Sequence, residues 1–227
     1  MNPATVLVMA KAPVAGRVKT RLCPPLLPAQ AADLAAAALL DTVSSVAATV
    51  DARTVVALDG EVRHARRAGE LRAALAEVTV IPQQGNSFSA RLVAAHIDAG
   101  GDGPVLQIGM DTPQLTPMML TSAMAVLRAP QVDAVLGPAS DGGWWALGLR
   151  AAVHARVLRD VPLSRHDTGE LTLSALRAIG LRVEILPTLT DVDTFTDAIR
   201  VAMIAPGTLF AAGVRKFLTE NRLRAAS

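Results

Sequence analysis

The sequence predicts an α/β protein built on a largely parallel, doubly wound sheet. Short aliphatic and β-branched runs alternate with helical stretches of about ten residues or more, the rhythm of strand–helix–strand units. The first run, Thr5–Ala10 (TVLVMA), is apolar at nearly every position, as in a strand covered on both faces. No internal repeat and no linker-like segment interrupts the rhythm, so the expectation is one domain.

The elements follow in order. After Thr5–Ala10 comes a loop carrying Pro13, Gly16, Pro24, Pro25 and Pro28, then an Ala/Leu-rich helix over Gln30–Val50. Arg53–Leu58 reads as the second strand, closed by the turn signal Asp59-Gly60. Glu61–Ala76 reads as a charged helix, Val78–Pro82 as the third strand and Gln83–Ser87 as a polar loop. A helix over Ser89–Ala99 should stop at Gly100-Gly101. Pro104–Ile108 is the fourth strand. Thr116–Leu127 is a helix with Thr116 as N-cap and Pro117 at its first position. Val132–Gly137, Trp144–Leu149 and Val183–Leu186 complete the strands. Helices are expected over Glu170–Ile179, Thr194–Ile204 (with Thr194 as cap) and Thr208–Arg224.

Composition narrows the classes. Of 227 residues, 51% are hydrophobic and 19% charged, enough apolar material for an independent core and too little charge for a disordered chain. The net charge of +2 is small and scattered, and only 3% of residues are aromatic, with no Tyr; neither suits a nucleic-acid binder. The single Cys excludes an internal disulfide, and no Cys/His cluster suggests zinc. No apolar run reaches the ~20 residues of a membrane helix. The N-terminal MNPATVLVMAK does not read as a signal peptide, so a cytoplasmic protein is expected.

A doubly wound sheet binds ligands at the carboxyl ends of its strands, which directs attention to the segments after each strand. The first loop holds Lys11, Gly16, Arg17, Lys19 and Arg21: a glycine that lets backbone approach an anion, and four cations to neutralise it. It is neither GxxxxGK[ST] nor GxGxxG, and a solvated basic loop would look the same. Asp111, in Gly109-Met110-Asp111-Thr112-Pro113, follows the fourth strand and suits either a divalent cation or a turn cap. Asp191 and Asp193 alternate about Val192, so an extended segment turns both carboxylates one way; alternatively Asp193 or Thr194 caps the next helix. Asp141-Gly142-Gly143-Trp144-Trp145 offers a carboxylate for a sugar hydroxyl, backbone access, and one Trp for the core and one for a pocket; a Gly-rich turn is the plainer reading. Cys23 reads as a small packed residue, and His64, His96 and His154 as surface or edge residues. Ser164, His166 and Asp167 lie too close in sequence for triad geometry, and Ser164 or Arg165 is better suited to touch a phosphate.

As a set, these segments resemble a bacterial family of glycosyltransferase-like proteins formerly known as a domain of unknown function. Lys11–Pro24 is similar to its K-A-P-x-x-G-x-V-K-T-R-L-x-P, Ile108–Leu115 to I-G-x-D-x-P-x-L, Asp141–Trp145 to D-G-G followed by two aromatics, and Asp191–Thr194 to D-V-D-T. The resemblance spans about residues 5 to 200 and implies the GT-A, nucleotide-diphospho-sugar transferase fold, a three-layer, mostly parallel Rossmann-like sheet. K-x-R-L and D-x-D-T also resemble elements of phospholactate guanylyltransferases and molybdenum-cofactor nucleotidyltransferases. One segment departs: where the family resembles Q-x-G-x-D-L-G-x-R-L, Ser87-Phe88-Ser89 replaces Asp-Leu-Gly, in a loop expected near the nucleobase.

The resemblance implies residues 1–205 as the transferase-like domain and 206–227 as a helical extension, packed on it or in a dimer contact. It implies Asp111, Asp191 and Asp193 as ligands of Mg²⁺ or Mn²⁺, and Lys19, Arg21, Asp111 and Asp141 as catalytic. Lys11, Gly16, Arg17, Lys19, Arg21, Gln84, Gly85, Arg91, Gly142 and Gly143 would bind the nucleotide. The leading expectation is a metal-dependent transferase using a nucleoside-diphosphate sugar and a small-molecule acceptor. The alternatives are a guanylyltransferase-like enzyme releasing pyrophosphate from an NTP, and a nucleotide-binding protein without turnover.

Overall fold

The computed structural model describes residues 4–101 and 103–225. The ends of the two predicted segments, 1–3 and 226–227, and Asp102 lie outside the described residues. Among the described residues seven strands form one sheet: β1 Ala4–Lys11, β2 Ala52–Asp59, β3 Thr79–Pro82, β4 Val105–Gly109, β5 Ala134–Pro138, β6 Trp144–Leu149 and β7 Val183–Ile185. Their order is β3-β2-β1-β4-β6-β5-β7. β6 runs antiparallel to both neighbours and every other pairing is parallel. The helices are α1 Pro28–Ala47, α2 Ala68–Ala76, α3 Phe88–Gly100, α4 Pro117–Arg128, α5 Thr168–Ala178, α6 Phe195–Ile204 and α7 Leu209–Ala225. The expected three-layer α/β architecture is therefore observed.

Both faces of β1 are buried. Val6, Val8 and Ala10 meet Leu39 of α1 and Leu120 of α4 on one side; Leu7 and Met9 meet Leu92 of α3 and Leu176 of α5 on the other. A third cluster joins Leu34 of α1, Val201 of α6, and Phe210, Val214 and Phe217 of α7; Cys23 packs against it, as expected for a small packed residue. Asp41 of α1 accepts the Leu209 and Phe210 N–H groups at 2.9 and 2.8 Å, holding the start of α7 on α1. Among the described residues no helix is long and apolar enough to cross a membrane.

Two expectations need correction. The predicted Glu61–Ala76 helix is broken: Val62–His64 is a single 3-10 turn and α2 starts only at Ala68. Arg67 has φ +50, its guanidinium is anchored on Asp33 at 3.2 Å, and the Arg66 N–H donates to Pro13 O at 2.9 Å. Tertiary partners thus override local helical preference. His96 is not at the surface. It is fully buried in α3, its Nδ1 2.9 Å from Gln107 Oε1. His154, in the 3-10 segment Ala152–Arg159, is half-buried, as an edge position would be.

The antiparallel β6 matters for the site. Pairing of Ile108 with Ala146, and Gly137 with Ala146, brings the start of β6 and the β5–β6 turn to the carboxyl edge of β4. A bridge between Ala139 and Leu189 carries the chain after β7 to the same edge. There the Val192 N–H donates to Asp111 O at 3.0 Å. β1 and β4 are neighbours whose connections leave in opposite directions, the switch point where a crevice opens.

Candidate active site

The crevice at this edge is a cavity of about 580 Å³. The loop after β1 approaches it with Lys19 in the left-handed region, φ +48, immediately before the turn Thr20–Leu22. The Lys19 ammonium sits 2.8 Å from Asp111 Oδ2 and 3.3 Å from Asp193 Oδ1, and only 12% of its side chain is exposed. Burial opposes its charge, but Asp111 and Asp193 outweigh it and hold Lys19 above the usual lysine value. Arg21 Nη1 reaches Asp193 Oδ2 at 3.2 Å.

Asp191 faces the same place with the opposite consequence. Its Oδ1 is buried without a hydrogen-bond partner. Burial, followed by repulsion from Asp111 and Asp141, raises its carboxyl to about 7; Lys19 offsets part of this and Asp193 adds to it. Val192 between the two acids is 1% exposed, so the alternation expected from sequence holds. Thr194 caps α6, accepting from Asp197 N at 3.3 Å while its own N–H donates to Asp197 Oδ2 at 2.9 Å. The cap is therefore Thr194, and Asp193 is turned to Lys19 and Arg21.

The opposite wall is built from two loops locked together. Asp141 Oδ1 accepts the Gly143 N–H at 2.8 Å, closing the β5–β6 turn. The Gly169 N–H donates to Gly142 O at 2.8 Å, docking the start of α5 on that turn. Leu163, Ser164, Arg165 and His166 line the cavity beside Trp144. Asp167 accepts both Arg165 Nε and Nη2 at 2.9 Å, so it orients Arg165 and forms no triad with His166. Trp145 is the core member of the pair, its Nε1 donating to Pro187 O at 2.9 Å.

Asp111, Asp141, Asp191, Asp193, Lys11, Arg21, Arg91 and Gly143 line the main cavity. Lys11, Arg17, Lys19, Arg21, Asp111 and Asp193 also line a contiguous cavity of about 280 Å³. Gly16, Gln84, Gly85 and Gly142 line neither. Gly142 instead lies beneath His166, and Gly85 against Ala90. Sequence reasoning missed Asp59 and Gln83, which do line the cavity; Phe88, singled out in the departing segment, lines it as well. Asp59 read as a turn residue and Gln83 as a loop opening, although a position after a strand was signal enough to consider both.

Among the described residues no three His, Cys, Asp or Glu side chains form a ready-made metal cage. The donor set nevertheless fits a hard divalent cation. Mg²⁺ typically takes one or two carboxylates and completes its shell with water and substrate phosphate. Asp191 supplies an orphaned oxygen among like charges, so added positive charge would be stabilised there.

A family described as an uncharacterized protein conserved in bacteria, DUF2064, matches residues 42–165, more than half of the chain. The chain belongs to DUF2064. No curated protein matches the sequence. The DUF2064 chain is similar to the crystal structure of a candidate nucleotide-diphospho-sugar transferase from Desulfovibrio desulfuricans G20. The two are 26% identical, with a TM-score of 0.82 over 95% of each chain. It shares its fold with CMP:2-keto-3-deoxy-manno-octonic acid synthetase complexed with CTP, at 13% identity and TM-score 0.56 over 90% of this chain and 99% of that one. It also shares it with 4-diphosphocytidyl-2C-methyl-D-erythritol synthase from Anaerococcus prevotii DSM 20548, at 8% identity and TM-score 0.57 over 88% and 95%. The DUF2064 chain thus has the nucleotide-diphospho-sugar transferase fold, and the likenesses support a transferase.

Proposed function

We propose that this DUF2064 protein transfers a glycosyl group from a nucleoside-diphosphate sugar to a small acceptor with the aid of Mg²⁺ or Mn²⁺. The observation that carries the reading is the convergence of Asp111, Asp141, Asp191 and Asp193 with Lys19 and Arg21 at the β1/β4 switch point. The name of the Desulfovibrio protein points the same way. Asp111, with Asp191 or Asp193, would hold the metal, which supplies charge neutralisation at the donor's phosphates.

Acceptor oxygen attacks the anomeric carbon, the bond from that carbon to the β-phosphate oxygen breaks, and the nucleoside diphosphate leaves with the electron pair. Lys19 and Arg21 stabilise the charge gathering on that leaving group. Donor phosphates entering beside Asp193 would take over Lys19 and Arg21 as counterions. Asp141, fixed by Gly143 N–H, positions the sugar or accepts the acceptor's proton. The loop 163–166 and Trp144 shape the sugar side of the cavity.

A second reading, nucleotidyl transfer, is favoured by the contiguous cavity lined by Lys11, Arg17, Lys19 and Arg21, which suits a leaving diphosphate. Product analysis separates them. Incubation with nucleoside-diphosphate sugars and metal should release nucleoside diphosphate, lost in Asp111→Asn. Inorganic diphosphate released from an NTP, with no turnover of any sugar nucleotide, would replace this reading with the second. Metal-independent nucleotide binding that survives Asp111→Asn, without turnover of either class, would replace both with a binding protein.

A further inference from the structure

Arg165 stands apart from the cations of the loop after β1. It belongs to the loop before α5, and it lines the main cavity but not the contiguous one around Lys19. Its guanidinium is held by one edge: Nε donates to Asp167 Oδ1 and Nη2 to Asp167 Oδ2, each at 2.9 Å. The two N–H groups of Nη1 and the second of Nη2 have no protein partner among the described residues, and the side chain stays 54% exposed. Arginine has two edges on which parallel N–H groups match the oxygens of a carboxylate or phosphate. Asp167 fills the Nε/Nη2 edge, and the Nη1/Nη2 edge is left. An exposed ion pair of this kind adds little stability, so its main effect is to orient the guanidinium. Asp167 cancels the attraction for a second anion only in part. It stands immediately before α5, where the partial positive charge of the helix N-terminus offsets its carboxylate.

The loop that carries Arg165 is firmly seated. Ser164 has φ +61, a conformation that serine keeps only where its surroundings impose it. The Arg165 N–H donates to Thr168 Oγ1 at 3.1 Å, and Thr168 Oγ1 donates to Pro162 O at 3.0 Å. Gly142 packs beneath His166, so this loop and the β5–β6 turn form one wall. Asp141, in that turn, lines the same cavity, and its position is thereby fixed relative to Arg165. Trp144 and Leu163 give the wall apolar surface for the body of a ligand.

We propose that Arg165 is a second anion site, and that the acceptor or the transferred sugar carries the carboxylate or phosphate it binds. The donor's diphosphate meets Lys19 and Arg21, and the second anion takes the Nη1/Nη2 edge of Arg165 on the facing wall. Charged substrates are therefore taken in preference to neutral ones of the same shape. The inference rests on the transferase reading above and names the class of substrate.

Isothermal titration tests it, with the phosphate side filled first. Protein holding Mg²⁺ and saturating inorganic diphosphate is titrated with inorganic phosphate. The wild type should take up one further phosphate per chain. Arg165→Gln should weaken that step about tenfold or more, and Arg165→Lys should recover part of it. Both variants should bind diphosphate as the wild type does, which shows them folded. Two matched pairs then locate the charge. Glucuronic acid 1-phosphate binding about tenfold tighter than glucose 1-phosphate, with the gain lost in Arg165→Gln, would place it on the transferred sugar. Glycerol 3-phosphate binding the diphosphate-loaded protein about tenfold tighter than glycerol, with the gain lost in the same variant, would place it on the acceptor. No phosphate beyond the diphosphate, wild-type phosphate binding in Arg165→Gln, or no gain from charge in either pair would overturn the inference and leave the transferase reading intact. Failure of diphosphate itself to bind would overturn that reading and the inference with it.

Discussion

Gly142→Ala probes whether the wall of the cavity opposite Lys19 is rigid. Gly142 has φ +88, and a Cβ there would lie 1.7 Å from His166 O and 2.5 Å from its carbonyl carbon. Both are backbone atoms, so no side chain can rotate away. The His166 segment is itself held: Thr168 Oγ1 donates to Pro162 O at 3.0 Å and accepts the Arg165 N–H at 3.1 Å. Gly180 provides the comparison, with φ +84 and nothing within 4 Å of a Cβ. Both substitutions carry left-handed strain of about 1–2 kcal/mol. Only Gly142→Ala adds the cost of forcing matter into a packed site, about 1–3 kcal/mol. Urea unfolding should therefore show Gly180→Ala losing about 1–2 kcal/mol and Gly142→Ala about 2–5 kcal/mol. Turnover, once a donor is found, should fall only in Gly142→Ala, because loop 163–166 must shift. Equal losses in the two variants would mean that the loop swings aside freely, and the rigid-wall argument would be wrong.

Lys19→Met removes the cation between Asp111 and Asp193. Turnover should fall by about a hundredfold or more, and millimolar Mg²⁺ should raise Tm more in the variant than in the wild type; a variant with wild-type turnover would exclude Lys19 from the chemistry. Thr194→Ala removes the α6 cap and should cost about 1 kcal/mol, lowering Tm by about 2–4 °C in differential scanning calorimetry. His96 predicts acid sensitivity. Burial lowers its pKa from 6.5 to about 4, against the opposing effect of the hydrogen bond that Gln107 Oε1 accepts, so the unfolded chain binds the extra proton between these values. The contribution of neutral His96 is full above about pH 6.5 and lost as pH falls toward about 4, amounting to about 3 kcal/mol. His96→Gln should flatten that part of the stability–pH curve, and an unchanged slope would assign the acid sensitivity elsewhere.

Local patterning was legible because it is written in neighbouring residues. The apolar run of β1 can be satisfied only by burial on both faces, and Thr116-Pro117 and Thr194 mark helix starts by their own hydrogen-bonding chemistry. The candidate site was legible as four segments after strands, since a doubly wound sheet gathers its carboxyl ends at one edge. Several features were not legible, because they depend on partners distant in sequence. Arg67 breaks the 61–76 helix because Asp33 and Pro13 lie beside it. His96 is buried because Gln107 of the adjacent strand supplies its partner.

The sequence by itself determined the alternation of elements, the placing of acidic and basic groups after strands, and an aliphatic core that supports them. Only the tertiary structure decided which charges meet. Lys19 bridges Asp111 and Asp193 across more than 170 residues, while Asp191, two residues from Asp193, keeps a buried oxygen without a partner. It also turned β6 antiparallel, which carries Asp141 and Trp144 to the ligand edge. Electrostatic pairing and desolvation depend on distance in space, and chain spacing does not encode that distance.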